Sequence, residues 1–232
     1  MSQLLKVRLP DGRTVTPADW TTAEPLWSTV ELSVGSIVTF EAFTYGIGGV
    51  VPGSANNRQA SLLDTNLQGE GGRLPENEAM IIQAIAVEMY VVPPPGTVFV
   101  TSEGNVASPD MSLLNMLRVQ RDLVGILSIA SVKEYVKAPV SFYAAGSGAE
   151  SGTATGFGGD AAAGYVAANN GSTSVKGRRR LASPLFIQGG EAFRFRFTPP
   201  RGTIAGLNLG GDVGSRLRLR TFLHGYHKRP VA

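Results

Sequence analysis

Two segments near the carboxyl end of the chain alternate apolar and basic residues with a period of two. In residues 191–198 three phenylalanines alternate with arginines, and in residues 216–223 leucines alternate with arginines. Because successive side chains of a β-strand point to opposite faces, each segment predicts a strand with an apolar inner face. We predict that the outward positions form one basic sheet surface, made of Arg194, Arg196, Arg216, Arg218 and Arg220.

Most of the remaining chain also favours strands. Residues 4–16 contain Pro-Asp-Gly between two apolar stretches, which predicts a hairpin within an amino-terminal arm over residues 1–24. Residues 109–124 differ, because Pro109 suits the first position of a helix and the leucines that follow keep helical spacing. The further predicted strands cover residues 29–34, 37–45, 80–92, 97–101 and 126–143.

The chain of 232 residues is expected to form one domain with long insertions. Residues 144–177 are mostly Ala, Gly, Ser, Thr and Asn, which bury too little apolar area to offset the entropy of ordering. We therefore predict a flexible surface insertion there and a second, shorter loop over residues 46–72. Residues 224–232 are predicted to leave the last strand as a carboxyl-terminal arm.

Charge is distributed unevenly along the sequence. Residues 176–232 carry 12 Lys/Arg and 2 Asp/Glu, whereas residues 1–175 carry 9 and 16, which gives net charges of +10 and −7. Such a chain can bind a polyanion, such as nucleic acid or anionic lipid, or dock against its own copies. For residues 178–180 the alternative is a solvated run or pairing with a neighbouring copy. The candidate contacts are the five strand arginines together with Arg178, Arg179, Arg180, Lys228 and Arg229.

The sequence offers few residues of the kinds that catalysis or metal binding requires. It has no cysteine and two histidines, His224 and His227, which a strand places on opposite faces. A zinc site needs three or four donors in fixed geometry, so we predict no metal. The sequence also has neither a Gly-x-Ser-x-Gly elbow nor a glycine-rich phosphate loop, so we predict no cofactor and no enzymatic activity. No apolar run reaches the roughly 18 residues of a membrane-spanning helix, and no transmembrane segment is predicted. An enzyme using two carboxylates stays open as an alternative, with the candidates Glu76, Glu78 and Glu88.

Three stretches carry a resemblance to a known family. In two of them a turn-like segment leads into a strand, and in the third a strand runs into a terminal segment. Together with the long inserted loops and one short helix, this succession resembles the viral jelly-roll capsid proteins, especially those of icosahedral bacteriophages. The stretches are residues 74–78 before 80–92, residues 188–191 before 193–197, and residues 217–223 before 224–230.

The resemblance implies an all-β fold, a jelly-roll-type antiparallel β-sandwich of two four-stranded sheets. It also implies a virion structural protein, a capsid subunit that self-assembles into an icosahedral shell through trimers or pentamers. The implied partners are further copies, other virion proteins, and genome or anionic lipid at the basic face. The implied location is the virion, assembled in the host cytoplasm. The alternative function is a non-catalytic β-sandwich module that binds carbohydrate or nucleic acid.

Overall fold

The computed structural model describes most of the chain. The described residues are 6–8, 12, 14–15, 24–33, 35–54, 57–68, 71–92, 109–130, 133–146, 150–155, 164–169, 177–207 and 216–228. In chain order the elements are β1 (Val7–Arg8), β2 (Thr14–Val15), β3 (Leu26–Ser33), β4 (Gly35–Ile37), β5 (Phe40–Ala42), β6 (Ala79–Val92), α1 (Pro109–Asp122), β7 (Val124–Ile129), β8 (Lys133–Pro139), a 3-10 turn (Val140–Tyr143), β9 (Glu150–Thr155), β10 (Gly164–Asn169), β11 (Arg179–Gln188), β12 (Phe193–Thr198), β13 (Ile204–Leu207) and β14 (Arg216–Lys228).

Eight of these strands form two antiparallel sheets. The first sheet has the order β3-β14-β6-β11 and the second has the order β5-β12-β7-β8. Numbered one to eight along the chain, these strands run 1-8-3-6 in one sheet and 2-7-4-5 in the other. This interleaving of early and late strands in two Greek keys is the order of a jelly roll. The predicted jelly-roll sandwich is confirmed.

The core lies between the two sheets. The phenylalanines of β12 and the leucines of β14 are buried there, which confirms the apolar inner faces of both strands. Gly125 of β7 allows close packing, since a Cβ at this position would lie 2.6 Å from Cζ of Phe195. Tyr143 meets the same ring edge-on, with ring centroids 5.5 Å apart. The buried apolar members of the two strands are Phe193, Phe195, Phe197, Leu217, Leu219 and Leu223.

The predicted helix is confirmed as α1, which ends at Asp122. Met116 and Val119 face the core and are fully buried, as is Leu123 just after the helix. Leu117 is 41% exposed, because it lies off the face toward the core that Met116 and Val119 occupy.

The insertion that composition predicts to be flexible contains a hairpin. β9 and β10 pair along their full lengths, and Asn169 of β10 pairs with Tyr90 of β6 beyond the end of β11. A structureless loop over residues 144–177 is therefore wrong for these two strands. Backbone pairing between neighbouring segments does not need large apolar side chains, so composition alone gives a poor test of it.

The two ends of the chain differ in how well their structure agrees with the predictions from the sequence. β1 pairs with β2, which confirms the amino-terminal hairpin. β14 continues to Lys228, because its pairing with β6 resumes after an irregularity at His224 and Gly225. Residues 224–228 thus belong to the sheet and not to an arm. Arg229 and the strand predicted over residues 97–101 lie outside the described residues.

The free edge of β3 is covered by the loop that follows β5. The hydroxyl of Tyr45 donates to the Thr29 carbonyl, and burial raises the pKa of Tyr45 to about 12. An uncovered edge strand is a template for pairing with another chain. The loop predicted over residues 46–72 therefore closes one side of the first sheet. Three backbone N–H groups of β3 donate to this loop, in the pairs Trp27 to Asn66 Oδ1, Thr29 to Tyr45 Oη and Glu31 to the Pro52 carbonyl.

Candidate functional site

The five strand arginines do not share one surface. Arg194 and Arg196 lie on β12 in the second sheet, whereas Arg216, Arg218 and Arg220 lie on β14 in the first. The prediction of a single basic surface is therefore wrong, because the outer faces of a sandwich point in opposite directions. Alternation in the sequence identifies the outward side of a strand but not the sheet to which the strand belongs.

The two arginines in the middle of β14 are paired with carboxylates of neighbouring strands. Arg218 Nε donates to Glu31 Oε1 at 2.8 Å, and Arg220 Nη1 donates to Glu88 Oε2 at 3.3 Å. Glu31 lies directly across from Arg218 on β3, and Glu88 lies directly across from Arg220 on β6. Opposite charges in such cross-strand positions stabilise a sheet.

The remaining strand arginines also have partners within the chain. Arg194 Nη1 lies 3.2 Å from Glu41 Oε1, and Arg196 Nη2 lies 2.7 Å from Glu134 Oε1. Arg216 Nη1 donates to a backbone carbonyl of the loop over β3 at 2.8 Å. The Arg194 and Arg196 pairs are partly exposed, so each contributes roughly 0–1 kcal/mol.

The uneven charge along the sequence therefore has an explanation in the fold. The jelly roll places late basic strands beside early acidic ones, and Arg218 and Glu31 are paired although 187 positions separate them. Because unlike charges attract across neighbouring strands and like charges repel, the distribution favours this strand order. The strand arginines are largely neutralised within the chain and offer little free charge to a polyanion.

A buried ion cluster connects the covering loop to β3. Arg58 Nη2 lies 2.8 Å from both Glu31 Oε1 and Asp64 Oδ1, and the two acidic side chains are each 3% exposed. Burial alone raises the pKa of Asp64, but hydrogen bonds from Arg58 and Ser61 outweigh this and lower the pKa to about 2. Sequence reasoning missed the cluster. The available signal was an arginine and an aspartate close together in a loop with few charges.

The basic run over residues 178–180 divides between two environments. Arg178 is half-buried, and its charge acts on His224. Arg179 and Arg180 are exposed at the start of β11. These two have no carboxylate partner among the described side chains. Arg179 and Arg180 are therefore exposed and free of a described carboxylate partner, and contact with a polyanion there stays a prediction.

Arg179 and Arg180 line an open groove between edge strands of the two sheets. The walls come from β8, the 3-10 turn and β11, and the groove encloses about 560 Å³. Tyr135 and Phe142 also line it, and they are 37% and 43% exposed. The guanidinium carbon of Arg179 lies 4.1 Å from the centroid of the Phe142 ring, a cation–π contact. Sequence reasoning missed both aromatic residues, because they lie far from the basic run in the chain.

The two histidines lie on opposite faces of β14, as predicted. His227 is buried, and its Nε2 lies 2.9 Å from Glu78 Oε2. His224 stacks on Phe222 with ring centroids 5.7 Å apart. Burial, together with the charge of Arg178, lowers the pKa of His224 to about 4. The His224 imidazole is therefore neutral at neutral pH.

The carboxylates considered for catalysis have different surroundings. Glu78 contacts His227, Glu88 contacts Arg220, and Glu76 is exposed in the turn before β6. Glu78 and Glu88 are separated along β6 by roughly 30 Å, well beyond the roughly 5–10 Å of a glycosidase pair. Within the described part of the chain, no three His, Cys, Asp or Glu side chains are placed to hold a metal ion.

The last predicted contacts lie at the end of β14. Lys228 is exposed there, and Arg229 lies outside the described residues.

The helices that the structure describes are too short or too polar to cross a bilayer. Comparison of the chain with protein-family models, curated proteins and solved structures finds no match.

Proposed function

We propose that this protein is a virion structural protein, a capsid subunit that assembles with copies of itself into a closed shell. The observation that carries the proposal is the strand order 1-8-3-6 opposite 2-7-4-5. Eight-stranded jelly rolls build viral capsids, and they also occur in lectins and cupins. Since a fold hosts several functions, the surface must supply further support.

Two adjacent leucines on the loop over β3 supply that support. Leu62 and Leu63 are 60% and 77% exposed. Their backbones are held in place, because Trp27 Nε1 donates to the Leu62 carbonyl and Arg220 Nη2 donates to the Leu63 carbonyl. Exposed apolar side chains on a fixed backbone are suited to burial against another molecule. In the proposed shell they contact a neighbouring copy.

The strand arginines take a smaller part in the proposed assembly than the sequence suggests. Their ion pairs are formed within the subunit, so contacts between copies depend mainly on apolar loops. Assembly is then expected to persist at high salt, because salt screens charge contacts but not apolar burial. In this proposal trimers or pentamers and other virion proteins complete the shell, which forms in the host cytoplasm.

The test is light scattering of the purified protein after size-exclusion chromatography, at low and at high salt, with electron microscopy of the largest species. We expect shells or regular capsomer-sized oligomers at both salt concentrations. The variants Leu62→Ser and Leu63→Ser should lower the assembled fraction. The control Val38→Ser, which changes a residue that is 61% exposed elsewhere, should leave it unchanged. A monomer under all conditions would overturn the proposal.

A further inference from the structure

The groove between β8 and β11 has an unusual charge for this protein. Arg179 and Arg180 contribute two guanidinium groups, and its other lining side chains carry no carboxylate. The arginines of β12 and the central arginines of β14 are instead paired with acidic residues. The groove is thus a place where positive charge is exposed in a concave surface, the condition under which anions concentrate.

The contact of Arg179 with Phe142 leaves the hydrogen-bond donors of the arginine available. A cation–π contact uses the face of the guanidinium, whereas the five N–H groups point outward in its plane. Phe142 is itself held edge-on by Tyr143, with ring centroids 5.4 Å apart. Arg179 is therefore supported by a fixed ring while its N–H groups can still bind a phosphate in bidentate fashion.

Tyr135 adds a second kind of contact to the same groove. Its ring is 37% exposed on β8, and Lys133 Nζ lies over the ring at 4.8 Å from the centroid, so a base would contact the part of the ring that Lys133 leaves exposed. An exposed aromatic ring beside guanidinium groups suits a ligand that carries both a flat ring and a phosphate. Grooves that bind single-stranded nucleic acid combine these two features, and their stacking contacts tolerate any base.

We propose that this groove binds a short single-stranded segment of nucleic acid, with phosphates at Arg179 and Arg180 and a base stacked on Tyr135. A duplex fits this chemistry less well, because its base faces are stacked inside and unavailable to the ring. Leu62 and Leu63 do not line this groove, so binding of nucleic acid there does not depend on the proposed assembly.

The proposal predicts a specific salt dependence. Two phosphate contacts to a single strand give a slope of about −1.4 in a plot of the logarithm of the binding constant against that of salt concentration. Removing one contact should reduce the slope to about −0.7. Because the stacking contact is uncharged, its loss should weaken binding without changing the slope.

The experiment is fluorescence anisotropy of a labelled oligothymidylate with the full chain over a range of salt concentrations. We expect Arg179→Gln and Arg180→Gln each to reduce the slope as above. Tyr135→Leu should weaken binding about tenfold at constant slope. Arg201→Gln removes the same charge from another exposed position and should have no effect. All four positions are exposed, and thermal melting will show that each variant is folded.

Three results would overturn the assignment: unchanged affinity in both arginine variants, equal affinity for a duplex of the same length, or full competition by tripolyphosphate at equal phosphate concentration. The last would indicate an anion site that does not use the bases. Light scattering of the same samples separates this proposal from the previous one. Lost binding with normal assembly contradicts only the groove, and binding without assembly contradicts only the shell.

Discussion

Arg218 and Glu31 lie directly opposite each other on adjacent strands, and their side chains form a hydrogen bond of 2.8 Å. Glu31 also accepts a hydrogen bond from Arg58 of the covering loop, so one carboxylate holds two guanidinium groups. Through Glu31 the first and last strands of the sandwich and the loop over them form one charged network. This network links parts of the chain that are distant in sequence.

Replacing Glu31 tests the strength of this network. Glu31→Gln leaves Arg218 and Arg58 without their shared carboxylate and should lower the free energy of unfolding by about 3 kcal/mol. Urea denaturation measures this change. Glu134→Gln removes a carboxylate that is 40% exposed and serves as the control, with an expected loss of at most about 1 kcal/mol. Equal effects of both variants would contradict a special role for the buried carboxylate.

Acid should weaken the same loop through Asp64. Its pKa is about 2 in the folded protein and 3.8 in the reference state, so the unfolded chain takes up the proton first as the pH falls. The stability that Asp64 provides is complete above about pH 4 and disappears toward pH 2, a change of about 2 kcal/mol. Denaturant titrations between pH 5 and 2 should show that the free energy of unfolding of Asp64→Asn depends less steeply on pH than that of the parent protein. The same pH dependence in both proteins would refute this account.

His224 should make stability depend on pH in a higher range. Its pKa is lowered from 6.5 to about 4, so protons bind the unfolded state preferentially between these values. Stability should therefore decrease as the pH falls from 6.5 to about 4, by up to about 3 kcal/mol. His224→Phe should flatten this part of the profile, whereas Phe222→Leu, which keeps the imidazole, should not. Parallel profiles for His224→Phe and the parent would count against this cause.

The core offers a steric test at Gly125. Gly125→Ala brings a methyl group against Phe195 and should cost about 1–3 kcal/mol, with a fall in Tm of several degrees. Phe195→Leu in the same chain makes room for that methyl group. A double-mutant cycle followed by thermal melting should then show a favourable coupling energy. Simple additivity of the two changes would mean that the ring is not the obstacle.

Truncation distinguishes the sheet from any terminal arm. Removing residues 229–232 should leave Tm nearly unchanged, because β14 remains whole. Removing residues 224–232 deletes the buried His227 and its contact with Glu78, and should unfold the protein or lower Tm sharply. Circular dichroism melting compares the two. A folded shorter chain with an unaltered Tm would show that residues 224–228 are dispensable.

The sequence identifies β12 and β14 well, because alternation of apolar residues with arginine is a local pattern. It does not predict which strands become neighbours, since that depends on contacts such as Arg218 with Glu31. For the same reason the sequence near Arg179 does not predict that Tyr135 and Phe142 line the same groove. Composition does not predict the hairpin of β9 and β10 either, because backbone pairing depends little on the type of side chain.

The loop over β3 also affects how copies of this chain can meet. The N–H groups of Trp27, Thr29 and Glu31 already form hydrogen bonds within the chain. Two molecules therefore cannot pair edge to edge along this strand to form a continuous sheet. In the proposed shell, association on that side would use side chains such as Leu62 and Leu63. Contacts of this kind are weak one at a time, so in the proposed shell a misplaced copy could dissociate and attach again before assembly is complete.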